Sequence, residues 1–348
     1  MPGLQIGIDL GTASTIVYVR GKGIVLQEAS VAAVDARTGD VLAVGGKVFR
    51  MLGRTPDSLR IVRPIRDGVV SDFTVVHAML AYYIKRICGN RMFKPSVMIC
   101  MPASVTGLER SAVLELAIAS GASRACLVEE PIAAALGAGM NIAYKGGQMV
   151  VDIGGGTTDV AVLTMGTMAL SRSAKVGGYV LTGAIQRYLR RERNVLVGDL
   201  TGEEIKHKVG CARLRSTELA IYTRGQSYIS RLPVRVEVTS TESFLAMRER
   251  LNDIVRVIQR VLEETPPEMA GDIADQGVVL TGGGALLRDF DTMLNERTGL
   301  RVRVARDPAN CVALGLGIMM EHPHILEENS YFYRTDDDIG EYERNRNL

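Results

Sequence analysis

The chain has 348 residues, 47% of them apolar, with 41 Lys plus Arg against 39 Asp plus Glu. That length and apolar share favour two domains with sizeable cores and exclude wholesale disorder; the near balance of charge excludes a strong field for nucleic acid. Five scattered cysteines without a C-x-x-C pair argue for reduced thiols and against a zinc site, and the longest apolar run, Pro131 to Met140, is too short to span a bilayer.

In chain order, strands are expected over 5–8 and 15–20, with no charged-then-apolar leader before the first and a hairpin turn at Gly21–Gly23 between the second and a strand at 24–26. A short helix follows at 45–52. Residues 60–70, with Pro64 and Gly68, read as a strand–loop connection. Val76, Met79, Leu80, Tyr83, Ile84 and Ile87 recur at helical spacing and make a buried amphipathic helix of 73–86. The turn before the strand 97–101 carries Met92 and Phe93 between Arg91 and Lys94. Two readings stand there: both side chains fold back into the core, or they form an apolar wedge with cationic flanks on an anionic membrane. After a helix at 108–120 and a strand at 125–128 come Glu129, Glu130 and Pro131, opening a small-residue helix at 132–139. The paired carboxylates are either a solvated helix start favoured by the dipole or, if they lie in a cleft, one of them positions an attacking water.

A hairpin over 160–163 and 168–173 leads through Gly177 and Gly178 to a helix at 181–193 with a basic face of Arg187, Arg190, Arg191 and Arg193, which is a solvated surface or a contact for an anionic partner. A helix over 202–211 places Glu203 and Lys206 on one face. Strands at 226–229 and 234–239 precede a long helix at 243–264, stopped by Pro266-Pro267. A helix at 286–298, a strand at 300–304 and an apolar helix at 309–320 capped by Asp307-Pro308 follow. From Pro323 the pattern dissolves, and 331–348, with Asp336, Asp337 and Asp338, reads as a loosely held tail.

Three glycine turns stand out from this series. The apolar strand ending VVDIGGGTTDV delivers Asp152 into Gly154, Gly155 and Gly156, then Thr157 and Thr158. The first strand, IGIDLGTASTIV, delivers Asp9 into Gly11 and Thr15, so D-x-G-x-x-x-T occurs twice; a third strand, 277–280, runs into Thr281, Gly282, Gly283 and Gly284. Glycine lets backbone N–H groups crowd an anion, threonine hydroxyls add donors, and a carboxylate at a strand end suits a hydrated divalent cation. Repetition of the unit predicts a duplicated architecture with two similar halves facing one phosphate-bearing ligand.

These residues resemble the actin, sugar-kinase and heat-shock-chaperone ATPase superfamily and, within it, the MreB/Mbl family of bacterial actin homologues. IDLGTASTIVYVRGKGIVLQEASV, MLGRTPDSLRIVRPIRDGVVSDF, CMPASVT, LVEEPIAAALGAG, VVDIGGGTTDVAVL, RSAKVGG, ETPPEMAGDI, VVLTGGGALLRDFD and DPANCVALGLG carry the resemblance, over about 4 to 320. It implies an α/β, actin-like (ribonuclease H-like) fold: two duplicated domains around a nucleotide cleft, each on a mixed five-stranded sheet with helices on both faces. Domain I would take 1–139, with the helix 309–322 packing back on it and a small subdomain at about 31–66; domain II would take 140–308, with a small subdomain at about 180–238, leaving 323–348 as a C-terminal tail.

By position the resemblance implies ATP contacts from Gly11, Thr12, Ala13, Gly154, Gly155, Gly156, Thr157, Thr158 and Gly178. Glu203 and Lys206 would meet ribose and base, and Gly282, Gly283 and Gly284 would close the adenosine pocket. Asp9 and Asp152 would hold Mg²⁺ through waters. Glu130 would activate the attacking water with help from Thr157. Met92 and Phe93 match the family's membrane-insertion loop. The implied protein is a slow ATPase that forms filaments with itself, as paired protofilaments, on the inner face of the cell membrane, where it guides the cell-wall elongation machinery through a membrane adaptor and so sets rod shape. The resemblance departs at Tyr179 and Thr182, where acidic residues are usual, at Ser14 for asparagine, at Asp159 for glutamate, and in the tail. The first two keep a second expectation open, a hydrolysis-impaired paralogue that co-assembles with another filament protein. A small-molecule kinase would need a base and substrate pocket inserted in the cleft, and a chaperone ATPase a peptide-binding module after Met320; neither is present.

Overall fold

Two sheets of identical strand arrangement form the frame of the computed structural model, which describes residues 3–89, 93–328 and 331–338. In the first, Gln5–Leu10 sits centrally, with Ser14–Val19 and Gly23–Ala29 antiparallel on one side and Ser96–Met101 and Arg124–Glu129 parallel on the other. In the second, Gln148–Ile153 takes the central place, with Thr158–Thr164 and Thr167–Ala174 antiparallel and Val278–Thr281 and Val302–Val304 parallel. The internal repeat is therefore a repeat of topology. Every residue of Ser96–Met101 and Thr158–Thr164 is buried, as strands covered on both faces must be.

The crossovers supply that cover. Phe73–Cys88 begins where the Asp72 side chain accepts from the Val75 N–H at 3.1 Å, and its stripe from Val75 to Ile84 enters the first core. The long helix Ser240–Glu264 starts three residues earlier than apolar spacing predicts, because Thr239 and Glu242 close a capping box that spacing does not register. Its buried stripe from Met247 to Val261 underlies the second sheet, and Pro267 opens the next helix, Pro267–Gln276. Two smaller sheets stand apart from the frame: Val41–Val44, Ala32–Asp35 and Leu59–Val62, and Val195–Leu196, Ala220–Ser227 and Pro233–Thr239.

The halves meet through two helices, Glu130–Gly137 and Cys311–Glu321, each following the last parallel strand of its own sheet. They touch backbone to backbone. A Cβ on Gly137 would lie 1.8 Å from the Cys311 carbonyl oxygen, and one on Gly315 would lie 1.9 Å from that of Ala133. The exchange is reciprocal, each helix giving a glycine to the other's main chain, and only glycine permits such an approach.

The C-terminal segment differs from expectation. His324–Glu328 is helical, and 331–334 is not loose but pairs with the first sheet through Arg334 and Ala125. Its anchors are two tyrosines, a signal that tail composition does not carry.

Candidate functional site

The central strand of each sheet ends in a carboxylate and then turns sharply. Gly11 N–H donates to the Ser14 carbonyl at 3.1 Å, and Gly154 N–H donates to the Thr157 carbonyl at 2.9 Å, so both loops close with the same bond in the same register. The two turns interlock. A Cβ on Gly155 would come 2.5 Å from the Ala13 Cβ, and one on Gly156 would come 2.8 Å from Thr12 Oγ1. The glycine run is required because one loop lies against the other.

Asp9, Gly11, Thr12, Ala13, Glu130, Asp152, Gly154, Gly155, Gly156, Thr157, Gly178, Glu203, Lys206, Gly282, Gly283 and Gly284 line one cleft between the halves. Thr158 does not join them. It is fully buried, with its hydroxyl donating to the Val176 carbonyl at 2.6 Å, just as Thr15 at the matching position is turned inward onto Ser30 at 3.0 Å. The last threonine of each repeat anchors its loop from below and offers no donor to a ligand, a correction to the expected phosphate contact. Met92 lies outside the described residues, and Phe93 is exposed on the surface, away from the cleft.

Three carboxylates, Asp9, Asp152 and Glu130, line the cleft, and a fourth, Asp159, is buried opposite Asp152 on the neighbouring strand. Burial, with the nearby charge of Asp152, pushes Asp9 up to about 7. Burial also raises Asp152 to about 6, against a 2.7 Å hydrogen bond from Thr281 Oγ1 and with the charge of Asp159 adding to the rise. Glu130 is held well above the carboxylate range by burial and by Asp159, Asp9 and Asp152. Asp159 is raised by burial too; Thr157 and Ser173 hydrogen-bond its carboxylate, while its Oδ2 is buried without a partner. Unneutralised negative charge beside backbone amides fits a site shared by a phosphate and a divalent cation. Among the described residues no group of three or more His, Cys, Asp or Glu side chains could hold a metal directly. Asp9 and Asp152 could hold a hydrated Mg²⁺ through its waters.

At the far end of the cleft, Glu203 is pulled down to about 2. Burial opposes this, but hydrogen bonds from His207, Lys206 and Thr182 and the Lys206 charge outweigh it. Lys206 Nζ lies 2.7 Å from Glu203 Oε1 and donates to the Gly178 carbonyl at 3.1 Å, and Thr182 Oγ1 donates to Glu203 Oε2 at 2.5 Å. Thr182 thus serves as a donor that fixes Glu203, where a carboxylate would repel it. Tyr179 lies under the guanidinium of Arg63, 4.4 Å from its ring centre, and Arg63 also pairs with Asp199 at 3.2 Å across the cleft mouth. The expected basic face is occupied at the surface: Arg193 pairs with Glu242 at 2.5 Å, Arg191 with Glu192 at 2.6 Å, and Arg190 donates to the Tyr228 hydroxyl at 3.0 Å.

Sequence reasoning named Thr281 only as the start of the third glycine turn, without a role, and passed over Arg63. Thr281 was legible in principle, since it stands at the third loop where the carboxylates stand at the first two. Arg63 becomes relevant only once it meets Tyr179 and Asp199 on helices more than a hundred residues later in the chain.

Residues 3–328 match the family described as MreB/Mbl protein. The chain is 47% identical over 321 residues to the cell shape-determining protein Mbl of Bacillus cereus (strain ATCC 10987 / NRS 248), covering 91% of this chain and 96% of that one. To the cell shape-determining protein MreB of Escherichia coli (strain K12) it is 45% identical over 323 residues, with 91% and 93% covered. Among solved structures it is similar to MreB5 of Spiroplasma citri bound to ADP, with a TM-score of 0.89, 34% identity, and 93% and 98% of the two chains covered. The same protein bound to AMPPNP also matches at a TM-score of 0.89. The fold extends, at 22% identity and a TM-score of 0.80, to the MamK double helical filament, with 92% and 99% covered.

Proposed function

The chain belongs to the MreB/Mbl family of actin-like cell-shape proteins, and we propose that it is an ATP-dependent, membrane-associated cytoskeletal filament protein whose slow ATP hydrolysis times filament turnover. The observation that carries this reading is the meeting of two matching glycine loops, with Asp9 and Asp152, in one cleft. The ADP and AMPPNP complexes of MreB5 support a nucleotide there, and the MamK filament supports self-assembly by the fold. On this reading 1–139, with 309–322 packed back on it, and 140–308 move as two domains about the glycine crossing. Filaments lie on the inner face of the membrane through Met92 and Phe93, and an adaptor couples them to the cell-wall elongation machinery.

Within the site, the amides of the two loops and the hydroxyls of Thr12 and Thr157 hold the phosphates, while Glu203 and Lys206 hold the ribose and base. Mg²⁺, when bound through the waters of Asp9 and Asp152, neutralises the charge that develops on the transferred phosphoryl group. Glu130 orients the attacking water and takes its proton. Burial raises its affinity for that proton, which suits a general base. The Thr182–Glu203 bond favours retained ribose binding over the impaired-paralogue alternative. Glu130→Ala should keep ATP affinity and ATP-dependent pelleting while phosphate release falls by about 10² or more. Release at the wild-type rate would remove Glu130 from that role.

A further inference from the structure

The segment 331–334 contributes nothing to the cleft lining, yet it is tied into the fold at three points. Ala125 N–H donates to the Arg334 carbonyl at 2.9 Å and Arg334 N–H returns a bond to Ala125 at 2.7 Å, so the segment lies along the edge strand Arg124–Glu129. The Arg124 guanidinium stacks on the Tyr333 ring at 4.5 Å. At the far end of the same strand, the Tyr331 hydroxyl donates to Glu129 Oε2. Arg110 holds the other oxygen of Glu129 at 2.9 Å.

Glu129 is the residue before Glu130 and the N-cap of the helix that Glu130 opens, but its side chain makes no capping bond. Its carboxylate is turned outward and fully engaged by Arg110 and Tyr331. The backbone turn that aims Glu130 into the cleft is thus held from the opposite side of the sheet. The Glu129 carboxylate borders an open cavity of about 450 Å³ bounded by Arg110, Glu129, Ile132, Met168 and Tyr331, so on that side its position rests on the two directional bonds from Arg110 and Tyr331.

We propose that the 331–334 segment is a strap that positions Glu130, with Tyr331 and Glu129 as positioning residues for water activation. This rests on the reading of Glu130 given above. Displacements of an ångström or less at an attacking water cost large factors in rate while leaving the binding of distant ligand groups intact. The strap therefore acts on turnover and not on nucleotide affinity.

The test is single-turnover phosphate release from ATP by the full chain, alongside ATP affinity and urea unfolding. Tyr331→Phe removes one hydroxyl from a partly buried ring and should lower the rate constant about tenfold with affinity and unfolding midpoint unchanged. Glu129→Gln should do likewise, and the double variant should be no slower than the slower single, because both interrupt one connection. An unchanged rate in Tyr331→Phe, a multiplicative double variant, or a rate loss accompanied by loss of affinity or stability would each overturn the strap. Glu130→Ala run in parallel separates the two claims. If it releases phosphate normally the reading of Glu130 fails and the strap with it; if it is inactive while Tyr331→Phe is normal, the strap alone fails.

Discussion

Asp9 and Asp152 stand at the ends of matching strands and are raised by burial, so their cost in the nucleotide-free chain is measurable. For Asp9 the folded value of about 7 exceeds the ordinary 3.8. Between those limits the folded chain binds more protons than the unfolded one, so the contribution of this group to stability is complete at the acid end and is lost as pH rises toward 7. Asp9→Asn removes that loss. Without nucleotide, the variant should exceed wild type by about 4 kcal/mol in urea unfolding at pH 8, with the difference closing near pH 4. With Mg²⁺ and ATP the order should reverse, because the variant has lost a group that faces the cation. A difference independent of pH would show that Asp9 is not held in the charged state against its surroundings. The same scale explains the threonines: Thr157 and Thr158 are adjacent, yet only Thr157 lines the cleft, because alternation along a strand turns successive side chains to opposite faces.

The helices Glu130–Gly137 and Cys311–Glu321 are the elements through which the two halves meet, and their separation is set by Gly137 and Gly315. Gly315→Ala would drive a methyl group into the Ala133 carbonyl, a backbone atom that cannot rotate away. Overpacking of this kind should lower unfolding stability by about 3 kcal/mol in urea titration. Wild-type stability would mean that the helices part without cost. Neither glycine announces its partner in the sequence, since the contact joins positions far apart in the chain. The repeated strand–glycine unit was legible because a continuous apolar run and a carboxylate at the strand end are local, and it led directly to Asp9, Asp152 and the three loops. Long-range pairings were not legible in this way: the bond from Thr281 to Asp152, the contact of Arg63 with Tyr179, and the docking of Tyr331 on Glu129. Local boundaries shifted in several places: a capping box extended the long helix back to Ser240, the helix expected over 181–193 begins at Gly178, and the strand expected over 226–229 runs from Ala220 to Ser227.

At the scale of the molecule, the net charge of +2 is too small to hold one copy against an anionic membrane, and no helix among the described residues is long and apolar enough to cross one. On the proposed reading, attachment would come from a local feature repeated along an assembly. Phe93 is 62% exposed and followed by an exposed Lys94; Met92 precedes it in the sequence. Inserting one or two such side chains gains about 2–3 kcal/mol each, a weak hold for a single copy. Joined end to end, many weak holds act together, and avidity rises by orders of magnitude without a new contact. Membrane binding should accordingly depend on ATP-driven assembly. In flotation with vesicles of anionic phospholipid, wild type should rise with the vesicles in the presence of ATP and remain largely free without it. Met92→Ser/Phe93→Ser should pellet normally with ATP in the absence of vesicles, which reports intact assembly, but should not float. Equal flotation of the variant would place the membrane contact elsewhere on the surface. Equal flotation of wild type with and without ATP would mean that a single copy binds tightly on its own, and that assembly contributes nothing to attachment.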